Sequence, residues 1–286
     1  MYEYEISKDI EAFSDYKGMT ETALAQQLGI QRSTLHNWKA GKSQPSGASS
    51  ELIYSFIYRS GYRLNSLKEQ MFKDSVRRGS VVLFHGAKAS LKGDVSLDYS
   101  GTDNDFGRGF YLGESLLQSA SFVCNYPGAS VYVAELNLKD DLKVKEFEVD
   151  TDWMLTIAFF RGKLEQYKNS QRLKELADAV RKTDVIRAPI ADNRMFQILD
   201  EFIDGNITDL QCQSALSATD LGKQYVIVSE KGLRNLKIIH HCFLCGEEKR
   251  DYLAEKEEFN RISNQKVKFV RREFAGKGKY IEEVLA

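Results

Sequence analysis

The chain has few cysteines and no excess of charge of either sign. Four cysteines in 286 residues do not form the dense framework of a disulfide-stabilised protein, so we expect reduced thiols and a cytoplasmic location. Forty lysines and arginines against 41 aspartates and glutamates give a formal net charge of −1. This balance excludes binding of nucleic acid through overall positive charge, so any DNA contact must come from a local patch.

Long hydrophobic runs are also absent. No apolar run approaches the roughly 18–20 residues of a transmembrane helix, and the acidic first residues lack the features of a signal peptide. We therefore expect no membrane partner. What is present, 42% hydrophobic residues with 16 Phe, 14 Tyr and 2 Trp, predicts a soluble globular protein with a sizeable core. The length allows one large domain or two ordinary ones.

Two short helices are predicted near the N-terminus. Leu24, Leu35 and Trp38 keep one helical face apolar, and Gly29 supplies the backbone freedom of a turn between the helices. Residues 22–38 resemble the helix-turn-helix of Cro-type repressors. The resemblance implies that the second helix presents polar residues outward.

These outward residues are Gln31, Arg32, Ser33, Asn37 and Lys39. Gln, Arg and Asn can read base edges, whereas Ser and Lys can hold phosphates. The resemblance therefore implies DNA binding. The alternatives are that the same helices bind a protein partner, or only pack on the second domain.

The rest of the chain alternates predicted helices and strands. Strands are predicted at 80–85, 130–138, 224–229 and 236–244, and helices at 51–74, 114–126, 151–182 and 192–204. A loop rich in Gly, Asp and Asn runs from 92 to 108. The charge-rich tail, 247–286, is expected to be solvated surface.

Four short motifs follow one another in this second part. Residues 82–88 read Val-Leu-Phe-His-Gly-Ala-Lys, and residues 105–112 read Asp-Phe-Gly-Arg-Gly-Phe-Tyr-Leu. Residues 119–122 read Ser-Ala-Ser-Phe, and residues 224–228 read Gln-Tyr-Val-Ile-Val. In this order they resemble the NAD-binding core of ADP-ribosyltransferases of the diphtheria toxin and poly(ADP-ribose) polymerase type. They also resemble a bacterial family of uncharacterised enzymes with a similar Asp-Phe-Gly-[Lys/Arg]-Gly-Phe-Tyr core.

The resemblance implies a role for each motif residue in binding NAD. Tyr111 and Phe122 would sandwich the flat, cationic nicotinamide ring, which aromatic faces stabilise. Gly86 would let the backbone reach the nicotinamide amide, since a Cβ there would clash. Ser119 would bond the same amide, and His85 would bond the adenosine ribose. As alternatives, His85 could be a satisfied histidine at a strand end, and the two aromatic residues plain core.

Gln224 stands where the family usually has the catalytic Glu. An amide can hydrogen-bond the ribose but carries no charge and cannot act as a base, which argues against growth of poly(ADP-ribose) chains. Three interpretations stay open: Gln224 suffices for single transfer, a nearby carboxylate such as Asp192 substitutes, or the site binds NAD without turnover. Glu230 is the spare candidate if the alignment is shifted.

Two further polar clusters have candidate roles. Asp192, Asn193 and Arg194 would line the cleft and bear on the choice of acceptor, or Asp192 or Asn193 would cap the following helix. The segment 240–245 reads His-His-Cys-Phe-Leu-Cys, but neighbouring histidines on a strand point to opposite faces. Buried thiols are the favoured interpretation there, and we expect no metal.

The sequence thus predicts two units. Residues 1–75 form an all-α helix-turn-helix module, and residues 78–286 form an α+β ADP-ribosyltransferase domain with two small antiparallel sheets around an NAD cleft. We expect His85, Tyr111 and Gln224 to be catalytic in a mono-ADP-ribosyltransferase that uses NAD as substrate and modifies an unknown macromolecular acceptor. An intracellular toxin of a toxin–antitoxin or phage-defence system, with an antitoxin protein as partner, fits this architecture. The alternatives are an NAD-sensing, DNA-binding regulator with a degenerate transferase domain, or an NAD glycohydrolase.

Overall fold

A computed structural model of the chain describes residues 4–139, 141–191, 193–219 and 222–286. These residues form an α+β protein with 13 α-helices and one seven-stranded mixed sheet. Five helices come first: α1 (Ile6–Lys17), α2 (Glu21–Leu28), α3 (Arg32–Lys39), α4 (Gly47–Arg59) and α5 (Leu64–Ser75). The strands are β1 (Ser80–Ala87), β2 (Phe110–Gly113), β3 (Ser130–Asn137), β4 (Val144–Glu146), β5 (Val185–Pro189), β6 (Lys223–Ile227) and β7 (Leu236–Phe243). The other helices are α6 (Leu116–Ser121), α7 (Thr151–Phe160), α8 (Gln171–Arg181), α9 (Asn193–Ile203), α10 (Asp209–Ser217), α11 (Glu230–Arg234), α12 (Gly246–Glu273) and α13 (Ile281–Leu285).

Local sequence explains the tight turn between α2 and α3. The Thr20 hydroxyl accepts the Ala23 N–H and caps the start of α2. Gly29 ends α2 with a φ of 66°, a left-handed conformation that glycine adopts at low cost. Leu35 and Trp38 of α3 are then buried in the apolar core of the first helices. These contacts fix the angle between the two helices.

The N-terminal helices pack against the end of β7 and the start of α12. Cys245 belongs to their apolar core. The Asn65 amide, in α5, donates to the Phe243 carbonyl and to the Glu248 carboxylate, both at 2.8 Å. Packing on the α+β part, one alternative left by the sequence, is therefore present, while most of the outward residues of α3 stay exposed.

The sheet corrects the prediction of two separate sheets. Its strand order is β4-β5-β6-β2-β1-β3-β7, with β4 and β5 parallel and the other neighbours antiparallel. β1 and β2 pair at one position, Phe84 with Gly113. Beyond it, the His85 side chain takes the Tyr111 carbonyl as its partner. The two halves are thus joined by one residue pair, and a cleft opens beside it.

Two other segments differ from the sequence prediction. The helix predicted over 151–182 is two helices, α7 and α8, and the chain between them passes through Gly162 with a φ of 69°. The sequence also predicts no strand before the polar residues at 192–194, but β5 runs from Val185 to Pro189. Pro189 is tolerated there because a missing N–H costs little at a strand end.

The tail also departs from the prediction of a solvated surface, because Glu248 is buried in α12. Its carboxylate accepts hydrogen bonds from Asn65 at 2.8 Å and from the Tyr252 hydroxyl at 2.7 Å. Burial raises the pKa of Glu248 to about 7 from its usual 4.5. The folded protein therefore prefers the protonated acid, and its stability falls as pH rises from 4.5 through about 7.

We expect Glu248→Gln to remove this pH dependence. Each pKa unit corresponds to about 1.4 kcal/mol, so the variant gains about 3 kcal/mol relative to the wild type between roughly pH 4.5 and pH 8. Urea unfolding at both pH values measures the difference. The matched control is Glu255→Gln, an exposed position of the same helix, which should follow the wild type. Parallel profiles for Glu248→Gln and wild type would contradict a buried, protonated Glu248.

Candidate functional site

The cleft between β1 and β2 collects residues from all four sequence motifs. Its lining includes all six residues that were predicted to contact NAD: His85, Gly86, Tyr111, Ser119, Phe122 and Gln224. β6, β2 and β1 lie side by side in the sheet, and α6 packs on β1. The structure therefore brings together residues that are far apart along the chain.

His85 is held as a neutral ring with one free acceptor. Its Nδ1 lies 2.8 Å from the Tyr111 carbonyl oxygen, and its ring stacks on Phe110 at 4.2 Å between centroids. Burial lowers the pKa of His85 below its usual 6.5, so the ring is uncharged at neutral pH. A carbonyl oxygen can only accept, so Nδ1 carries the proton and donates it. The remaining nitrogen, Nε2, is then an acceptor suited to a hydroxyl group.

The structure gives a reason for Gly86 that the sequence did not indicate. A Cβ at this position would lie 2.3 Å from the Ser119 carbonyl oxygen and 3.2 Å from the Val123 side chain. The first distance is far below any normal contact, and it involves backbone that cannot easily move. The absent side chain thus lets β1 and α6 approach each other, and both Gly86 and Ser119 line the cleft.

Ser119 and Phe122 enter the cleft from α6 and its end. The buried Ser119 hydroxyl donates to the Phe84 carbonyl at 2.8 Å, so its lone pairs are what it can offer to a ligand. Phe122 is 49% exposed at the rim. The Lys256 ammonium lies 5.6 Å from its ring centroid. A half-exposed aromatic ring beside a polar cleft is suited to stacking against a flat ligand.

Tyr111 presents a fixed ring on the same cleft. Its hydroxyl donates to the Gly107 carbonyl at 2.8 Å and accepts the Phe106 N–H at 3.2 Å. Burial raises the pKa of Tyr111, so the phenol stays protonated. With both ends held, the ring does not need to be ordered when a ligand binds.

Gln224 is bound to two side chains that the sequence did not single out as site residues, Asp105 directly and Arg161 through it. Its Nε2 donates to Asp105 Oδ2 at 2.9 Å and to the Pro189 carbonyl at 3.1 Å. Asp105 Oδ1 accepts from Arg161 Nε at 2.9 Å and Nη2 at 2.7 Å. Burial raises the pKa of Asp105, against the opposing effects of Arg161 and Gln224.

All three of these side chains line the cleft. The signal for Asp105 was available, because it is the first residue of the Asp-Phe-Gly motif. Arg161 has no such signal, because it follows an apolar helix and lies 56 residues after Asp105 in the sequence.

The other residues predicted for the site lie in the segment before α9 and in α9 and α11, as far as the described residues show. Asp192 lies outside the described residues, and Asn193 and Arg194 begin α9. Ile190 and Ala191, just before them, line the cleft. Glu230 is exposed in the first turn of α11 and is not part of the lining.

The two adjacent histidines of β7 have separate surroundings. His240 Nε2 lies 2.9 Å from the Lys68 ammonium, and the His241 ring stacks between Tyr4 and Tyr132 at 4.0 and 4.1 Å. Cys242 and Cys245, which follow them, are buried. In the part of the chain that the structure describes, no three His, Cys, Asp or Glu side chains are grouped so as to hold a metal ion.

The residues predicted to contact DNA lie on α3 and at its N-cap, Gln31. Gln31, Arg32, Ser33 and Asn37 are exposed, and Lys39 is half-buried. Glu21 of α2 reaches this surface, where its carboxylate lies 3.3 Å from Arg32 Nε and 3.4 Å from His36 Nδ1. The surface is therefore less positive than the sequence of α3 alone indicates.

Comparison with known proteins gives one family. The model of a family described as "Protein of unknown function (DUF3990)" matches residues 81–238, which is more than half of the chain and contains most of the cleft. No curated protein and no solved structure matches the chain. None of the helices in the described ranges is long and apolar enough to cross a membrane.

Proposed function

The chain belongs to the DUF3990 family, and we propose that it is a mono-ADP-ribosyltransferase, which cleaves NAD, releases nicotinamide and transfers ADP-ribose to a protein or nucleic-acid acceptor. The observation that carries the proposal is the single cleft in which His85, Tyr111, Phe122 and Gln224 meet. On this proposal, the seven-stranded sheet, whose two halves are joined by one residue pair, belongs to an ADP-ribosyltransferase fold. The helices before it form a helix-turn-helix module.

Each part of the cleft then has a partner on NAD. The nicotinamide ring lies between Tyr111 and Phe122, whose faces favour a flat cation. Its carboxamide NH₂ donates to the Ser119 hydroxyl, which already donates its own proton to the backbone. His85 Nε2 accepts from a hydroxyl of the adenosine ribose. These contacts hold the dinucleotide bent over the gap between β1 and β2.

The reaction breaks the bond between nicotinamide and the ribose C1′ atom. The electron pair of that bond leaves with nicotinamide, and an oxocarbenium-like ribose remains, as in glycoside hydrolysis. Gln224 Oε1 accepts a hydrogen bond from the ribose 2′-hydroxyl and so stabilises the positive charge. The acceptor nucleophile then bonds to C1′ and releases its proton to water. Because an amide cannot act as a base, we infer single transfer without chain growth.

Release of nicotinamide from NAD by the purified protein tests the proposal. The assay is run with and without cell lysate, and beside His85→Ala. We expect release that requires His85 and rises when lysate supplies the acceptor. Release that lysate does not increase would indicate NAD hydrolysis or self-modification instead of transfer to a cellular acceptor. If NAD binds measurably but no nicotinamide is released, the proposal of an enzyme is overturned and an NAD sensor is favoured.

A second candidate function is a DNA-binding regulator that senses NAD. The exposed polar face of α3, with Gln31, Arg32 and Asn37, favours it, as does the amide at position 224. Both functions need NAD binding, so nicotinamide release separates them. In a toxin of a toxin–antitoxin or phage-defence system, the same helices would instead bind an antitoxin protein or the target.

We expect Phe122→Ala to weaken NAD binding. Loss of one aromatic face removes about 0.5–2 kcal/mol, or roughly 2–30-fold in Kd. Titration calorimetry with NAD measures the change. The matched control is Tyr126→Ala, an exposed aromatic residue four positions on that does not line the cleft. Equal affinity of wild type and Phe122→Ala would remove Phe122 from the nicotinamide site.

A further inference from the structure

The Gln224 amide can take only one orientation. Asp105 Oδ2 and the Pro189 carbonyl oxygen, its two neighbours, are acceptors, so both must face the NH₂ group. The two hydrogens of that group are therefore used, and Oε1 is the atom left for a ligand. Asp105 is itself held, because Arg161 donates twice to its other oxygen. Arg161 thus holds Asp105 in place, and Asp105 in turn holds Gln224.

We propose that Asp105 is a positioning residue that orients Gln224 Oε1 toward the ribose and makes glutamine, not glutamate, the working residue at position 224. The proposal rests on the proposed transferase function. A glutamate at 224 would place a carboxylate oxygen about where Nε2 now lies, 2.9 Å from Asp105 Oδ2 and 3.1 Å from the Pro189 carbonyl. Both contacts would then be repulsive.

The pair nevertheless keeps a carboxylate in the cleft. The Gln224 amide is in direct contact with the carboxylate of Asp105, which also lines the cleft. The negative charge is thus moved one side chain away from the ribose, and the atom that meets the ribose is neutral. On this proposal, Gln224 is part of a built site, so the amide at position 224 no longer argues for a degenerate transferase domain.

Three variants test the pair by turnover: Asp105→Asn, Gln224→Glu and the double variant. We expect each single change to lower kcat for nicotinamide release by about tenfold or more, with the KM for NAD nearly unchanged, because the orientation of the 224 side chain is lost. The double variant should be about tenfold more active than Gln224→Glu, since the amide introduced at position 105 can donate to the new carboxylate. Asp103→Asn, an exposed change in the same loop, is the control and should match the wild type.

Gln224→Glu with activity equal to or above the wild type would overturn the proposal. So would a double variant no better than Gln224→Glu, because a merely structural role for Asp105 gives no rescue.

Thermal unfolding tests the pair without any turnover. In Gln224→Glu the new carboxylate lies directly beside the buried carboxylate of Asp105. One of the two therefore takes up a proton, and its pKa in the folded protein rises above the unfolded value. Stability is then full at low pH and is lost as pH rises. We expect the Tm difference from wild type to grow between about pH 5 and pH 8, and the double variant to remove this dependence. A variant whose Tm follows the wild type at every pH would overturn the pairing. If the wild type releases no nicotinamide, the proposed transferase function is wrong. The Tm comparison still tests the contact between Asp105 and Gln224.

Discussion

Replacing Gln224 by alanine is expected to lower kcat for nicotinamide release by about 100-fold and to leave the KM for NAD within a factor of about two. The side chain is 7% exposed, and its amide group is fixed by Asp105 and Pro189. On the proposed function, its oxygen therefore meets the ribose without any cost of ordering, and its contact strengthens as positive charge develops. A contact made mainly in the transition state affects kcat and spares ground-state binding.

Steady-state kinetics of nicotinamide release, with NAD affinity measured separately, check this expectation. Gln171→Ala, an exposed glutamine in α8, is the matched control and should behave as the wild type. Turnover by Gln224→Ala at the wild-type rate would show that our catalytic assignment is wrong. Loss of NAD affinity with unchanged kcat would make Gln224 a binding residue only.

Six residues of the cleft could be predicted because their signals are local. His85 and Gly86 are adjacent near the end of one strand, and Tyr111 and Phe122 lie in short motifs whose composition indicates a strand and a helix. Each signal needs only a few neighbouring residues. Pairing between strands was not needed to identify them, although it is what brings them together.

Long-range contacts could not be predicted in the same way. Asp105 and Gln224 are 119 residues apart, and nothing in either segment indicates that a carboxylate meets an amide. The joining of two half-sheets through Phe84 and Gly113 is one residue pair, which hydrophobic periodicity does not show. Gly86 was predicted to allow the close approach of a ligand, whereas the approach of the Ser119 backbone to Gly86 was not predicted. Sequence patterns thus predict which residues have a role in the site, whereas the residue that each of them contacts depends on the tertiary fold.

The largest loss of stability is expected for Arg161→Ala. Its guanidinium donates twice to Asp105, which is 5% exposed, and also lies 3.7 Å over the Phe196 ring. Arg161→Ala leaves a buried carboxylate without its cationic partner, and removing one member of such a pair costs about 3 kcal/mol in free energy of unfolding. Urea unfolding at neutral pH measures the loss. Arg181→Ala, which removes an exposed ion pair in α8, should cost less than about 1 kcal/mol.

The double variant Arg161→Ala with Asp105→Asn separates the charge from the packing. Asparagine removes the unpaired charge, so we expect the double variant to regain about half of the stability that Arg161→Ala loses. The remaining loss then belongs to the contact with Phe196. No recovery would mean that Asp105 is already neutral beside Arg161 or that packing accounts for the whole effect. Recovery of stability without recovery of turnover would show that the cleft needs the Arg161–Asp105 pair for orienting Gln224, and that folding alone does not require the pair.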